Sequence, residues 1–66
     1  MSSDEIGKTA GTIYTLLSQK GKLPLRKIGE YTHGKESAIY FSLGWLLREN
    51  KISISELNGE WFFELK

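Results

Sequence analysis

The sequence predicts a small α+β domain in which three helices are followed by a C-terminal two-stranded hairpin. Three observations carry that prediction. Apolar residues recur at helical spacing through residues 6–17, a glycine-containing turn separates two further helical stretches, and Asn58-Gly59 stands between two strand-like runs. Asn-Gly is the strongest two-residue hairpin signal and favours a type I′ turn.

The first helix is expected from about Ser3 to Lys20. Ser2 with Glu5 fits a capping box, and Asp4 and Glu5 suit the positive helix N-terminus. Ile6, Ala10, Ile13 and Leu17 recur at four, three and four residues, and Tyr14 and Leu16 widen the stripe. Lys20 then Gly21 places a cation and a left-handed cap at the C-terminus. Gly7 and Gly11 have the small-xxx-small spacing of membrane helix pairs. No apolar run approaches the roughly 20 residues that span a bilayer, so close packing in water is the expectation for that pair.

Lys22-Leu23-Pro24-Leu25 is too short for a helix, and its proline forbids a central strand, which leaves a short edge piece. Arg26 to about Thr32 reads as a two-turn helix with Leu25, Ile28 and Tyr31 spaced by three. Gly29 on that helix would let another helix cross closely. His33-Gly34 interrupts, and a third helix is expected from about Lys35 to Asn50. Two helices joined by a short glycine-containing turn form a helix-turn-helix. The pattern then changes period. Residues 51–55, Lys-Ile-Ser-Ile-Ser, alternate strictly, and residues 61–65 are rich in aromatic strand formers. A two-residue turn at Asn58-Gly59 pairs Leu57 with Glu60, Ser55 with Phe62, Ile54 with Phe63 and Ile52 with Leu65. Ile52, Ile54, Phe63 and Leu65 then share a core face with Trp61 near the tip, while Ser53, Ser55, Phe62 and Glu64 share the other.

The order helix, short strand, helix, helix, hairpin is that of a winged helix. The residues quoted above, with the Gly34 turn and the run from Ser37 to Ile52 that includes Leu43-Gly44-Trp45-Leu46, resemble the winged helix-turn-helix superfamily over nearly the whole chain. Closer still, they resemble a family of small stand-alone winged-helix domains of unknown function from Bacteroides-type bacteria. That resemblance implies a DNA-binding, transcription-regulating ancestry and often a dimer. It implies no catalytic activity.

Composition bounds the rest. Sixty-six residues make one domain, 1–66. A chain of this size buries only about 60% of its unfolded surface and is marginal alone. Disulfides and cysteine-based zinc sites are excluded because the sequence has no cysteine, and a single histidine, His33, makes no metal site. Oligomerisation is the compensation left open. The acidic N-terminus lacks the regions of a signal peptide, so a cytoplasmic protein is expected. The eight acidic residues are scattered, and no phosphate loop, nucleophile elbow or Cys–His pair suggests an enzyme, a cofactor or a small-molecule substrate.

Nine basic against eight acidic residues leave a net charge of +1, short of the excess that nucleic-acid binders carry. Position matters more. With Leu43 as the core direction of the third helix and roughly 100° per residue, Ile39, Tyr40, Leu46 and Leu47 turn inward. Ser37, Ala38, Phe41, Gly44, Trp45 and Arg48 turn outward, where a winged helix presents its third helix to the major groove. That face is poor in the Arg, Lys, Asn and Gln that read bases. Phe41 and Trp45 instead form an apolar pair. It fits a protein interface, most simply a twofold homodimer that also takes in Ala38 and Phe62. Two other readings are a helix covered on both sides by its own chain and a base-stacking surface. The candidates for duplex DNA contact are Lys22, Arg26, Lys27, Lys35, Ser37 and Arg48, with Lys20 alongside, although ordinary solvated lysines explain most of that cluster equally well. Glu56 and Glu60 flank the hairpin tip and would repel phosphate.

Overall fold

In the computed structural model, which describes residues 2–66, the chain runs α1 (Ser3–Lys20), β1 (Leu23–Pro24), α2 (Leu25–Thr32), α3 (Glu36–Arg48), β2 (Ile52–Leu57) and β3 (Glu60–Leu65). This is the α+β winged helix that the sequence pattern predicts. The helix and strand ends follow from local chemistry. The Ser2 hydroxyl accepts a hydrogen bond from the Glu5 amide at 3.2 Å, satisfying one orphan donor of the first turn. Gly21, at φ +78°, closes α1 by donating its amide to the Leu17 carbonyl. The left-handed cap of α2 is taken by His33, at φ +54°, rather than by Gly34.

The sheet order is β1-β3-β2, so the two-residue strand β1 lies on an edge, where its proline is tolerated. The hairpin register is the expected one from Ile52↔Leu65 to Leu57↔Glu60. Asn58 and Gly59 both take positive φ, +54° and +79°, as a type I′ turn requires. Gly59→Ala is expected to cost about 1 kcal/mol, because an added Cβ disfavours that backbone whatever the surrounding space. A thermal midpoint lowered by roughly 4–8 °C would register it; an unchanged midpoint would mean that the turn relaxes to another type.

One core lies between the helices and the sheet. Ile13, Leu17 and Ile28 are fully enclosed, with Leu16, Ile39, Leu43, Leu46, Ile52 and Phe63 around them. Against expectation, Gly29 meets no neighbouring element within 4 Å of an added Cβ, and neither do Gly7 and Gly11. None of the three therefore marks a close helix crossing within this chain.

The core direction of α3 is the main correction. Ala38 is buried and Tyr40 is half exposed, the reverse of expectation, and Ser42 is wholly buried. All three follow from one rotation of the helix by about 60° at 100° per residue, which centres its inner face between Ser42 and Leu43. The Ser42 hydroxyl donates to the Ile6 carbonyl of α1 at 3.0 Å, and that bond lets a polar side chain occupy the interface.

Candidate functional site

Two surfaces collect the residues singled out from the sequence. The first is the flank of α3 beside α1. Because Ala38, Ser42 and Leu46 turn inward, Phe41 and Trp45 fall one turn apart on the α1 side of the exposed arc. They are 60% and 51% exposed. Trp45 stands over an open groove of about 890 Å³ between the two helices, lined by Ile6, Gly7, Ala10, Gly11 and Tyr14. Tyr14, expected in the core stripe, lies exposed on this rim. The spacing Gly7, Gly11, Tyr14 repeats every three to four residues and marks this second face of α1 in the sequence. Ala38 is enclosed beneath the flank and is not available to a partner.

Phe62 does not join this surface. Phe63 faces the core, and neighbouring strand residues point to opposite sheet faces, so Phe62 points away from the helices. It is half buried, pairs with Pro24 and Ser55, and has the Lys22 ammonium 5.7 Å from its ring centroid. Tyr40 lies on the opposite flank of α3, towards Leu25 and Gly29 of α2.

The second surface is basic but largely self-neutralised. Arg26 reaches from α2 to Glu60 of the wing at 3.3 Å, Lys27 pairs with Glu30 at 3.3 Å, and Lys35 lies 3.9 Å from Glu5. All three pairs are solvent-exposed and worth little stability. Their consequence is electrostatic, since each carboxylate cancels positive potential that a phosphate would otherwise meet. Lys20, the last residue of α1, and Lys22, on the turn after it, stand over the rings of Tyr31 and Phe62 instead. Among the described residues neither makes an ion pair, and the same holds for Arg48 at the end of α3. Ser37 is exposed in the first turn of α3. No cluster of three or more metal-ligating side chains occurs among the described residues, and no helix is long and apolar enough to cross a membrane.

Residues 1–65 match the family described as winged helix-turn-helix domain (DUF2582). The chain belongs to this family. The winged helix-turn-helix domain is also similar to an uncharacterized protein, MJ1608, of Methanocaldococcus jannaschii. The two are 34% identical over 64 residues, which cover 94% of this chain and 91% of the relative. Relatives of this winged helix-turn-helix domain are therefore not confined to Bacteroides-type bacteria, and the similarity extends over nearly the full length of both chains.

Proposed function

We propose that this domain is a non-catalytic, cytoplasmic winged helix that works as a homodimer. In this reading the dimer closes through the α1-side flank of α3. One observation carries it: Trp45 stands half in water at the rim of a glycine-floored, largely apolar groove, with the exposed Phe41 one helical turn away. A knob and a hollow side by side on one surface suit a twofold interface, in which each copy's Trp45 enters the other's groove. A 66-residue domain gains from such a contact the apolar burial that its own core is too small to supply. The molecular mass measured by sedimentation equilibrium tests this, with twice the chain mass expected at tens of micromolar protein.

Duplex DNA as a partner, with a role in transcription regulation, is the second reading, favoured by Lys20, Lys22 and Arg48, which lack carboxylate partners among the described residues. With only these three of the candidate cations unpaired, the contact is of low charge. A salt titration against random duplex DNA is expected to give a log–log slope of only about −2 to −3, at roughly 0.9 per neutralised phosphate. Lys22→Ala should make that slope about one unit shallower. Failure to bind at the lowest salt would remove DNA from the account while leaving the dimer untouched, because Lys20 with Tyr31 and Lys22 with Phe62 lie apart from Trp45 and its groove.

A further inference from the structure

The wing differs from the rest of the molecule in charge. Between Ile52 and Leu65 stand Glu56, Glu60 and Glu64, with no lysine or arginine. Glu60 is occupied by Arg26, while Glu56 and Glu64 make no ion pair among the described residues.

β2 ends the sheet order, so one of its long edges is unpaired. Exposed edges are ordinarily blocked by a bulge, a proline or a lysine. The register with β3 is unbroken over all six residues of β2, so no bulge turns the edge aside, and Ile-Ser-Ile-Ser-Glu-Leu holds neither proline nor lysine. In a two-residue hairpin the closing pair exchanges both of its hydrogen bonds, and bonded pairs alternate from there. Leu57, Ser55 and Ser53 therefore bond to β3, and the N–H and C=O groups of Ile54 and Glu56 point outward.

The side chains beside those free groups are apolar and acidic. Ile54 and Glu56 share a sheet face with Trp61, the cross-strand partner of Glu56. Nearer the helices the same face is core, at Ile52 and Phe63. Past their reach Ile54 is 40% and Trp61 47% exposed.

We propose that the free edge of β2 takes up an extended segment of another protein as a fourth strand. That segment sets an apolar side chain against Ile54 and a lysine or arginine beside Glu56. Main-chain bonds would supply affinity and the alternate side chains specificity, as in other strand additions. Charge decides between occupants. Nucleic acid has the same sign as the wing and is repelled. A second copy's β2 would bring two acidic wings side by side, and like charges across strands are destabilising. A basic segment meets neither objection. The edge belongs to a different element from the Trp45 flank, so this contact and the homodimer are separable by mutation.

Backbone NMR of the full chain, titrated with the blocked peptide Thr-Lys-Thr-Val-Thr-Lys-Thr, tests this. The peptide's symmetric pattern presents valine to Ile54 and lysine to Glu56 in either strand direction. Expected are shifts centred on β2 and slowed hydrogen exchange at the Ile54 and Glu56 amides, with no response to a peptide carrying glutamate in place of each lysine. Glu56→Lys should weaken the lysine peptide by about fivefold and admit the glutamate peptide instead. Unchanged cross-strand contacts between β2 and β3 in that variant would verify an intact hairpin. An equal response to both peptides overturns the proposal, as does no response at millimolar peptide. Protection of the Ile54 and Glu56 amides that grows with protein concentration alone would put a second copy on the edge and overturn it too.

Discussion

Ile13→Ala is expected to remove about half of the domain's stability at room temperature. Ile13 is fully enclosed at the centre of α1 and belongs to the core cluster that joins α1, α2, α3 and the sheet. Truncating a buried isoleucine removes its transfer free energy and leaves a cavity, together about 2–5 kcal/mol. At roughly 0.05–0.15 kcal/mol per residue, a domain of this length has only about 3–10 kcal/mol in total, so the loss is about half of that. Urea unfolding followed by far-ultraviolet circular dichroism would read it. Ile13→Val, expected to cost about 0.5–1.5 kcal/mol, should stay folded and supply the reference. Because association stabilises the folded state by mass action, both variants need measuring at two protein concentrations. A stability of Ile13→Ala within 1 kcal/mol of the parent would contradict the core described here.

The features legible in the sequence were those set by local chemistry. Ser2, Gly21 and the four-three-four spacing define α1 to within a residue. Asn58-Gly59 defines the hairpin register because only a type I′ turn fits two positive φ angles in succession. The face of α3 was harder to read, because its apolar residues run almost all the way round and leave the core direction to be chosen. Taking Leu43 as that direction sends Tyr40 inward and Ala38 outward. The burial of Ser42, which settles the choice, depends on a carbonyl of α1 that lies 36 residues away in sequence. Ile54 shows a second limit. Alternation identifies its sheet face correctly, but not how far the helices extend over that face, so a residue assigned to the core stands 40% exposed. The basic candidates show a third, since the pairing of Arg26 with Glu60 and of Lys35 with Glu5 exists only once the elements are packed.

If the α3 flank closes a dimer, Trp45→Glu should convert it to a folded monomer. A tryptophan buries about 150–250 Å² when fully covered, and Trp45 is 51% exposed in the single chain, so association removes about 100 Å² per copy. Twofold symmetry counts that area twice. At about 25 cal/mol per Å² the two tryptophans contribute roughly 5 kcal/mol, or about three to four orders of magnitude in the dissociation constant at 1.4 kcal/mol per tenfold. A glutamate in the same place adds the cost of desolvating a carboxylate. Phe41→Glu should act in the same direction, since Phe41 lies one turn away on the same flank. Tyr40→Glu supplies the contrast. Tyr40 is as exposed as Trp45 but faces α2, so its substitution should leave the dimer intact. Sedimentation equilibrium of the four proteins, with circular dichroism to verify folding, separates a specific interface from general stickiness. Loss of association in Tyr40→Glu as well would indicate the latter. A wild-type chain that sediments as a monomer at high micromolar concentration would end the dimer reading, and the groove between α1 and α3 would then be no more than the gap left by Gly7 and Gly11.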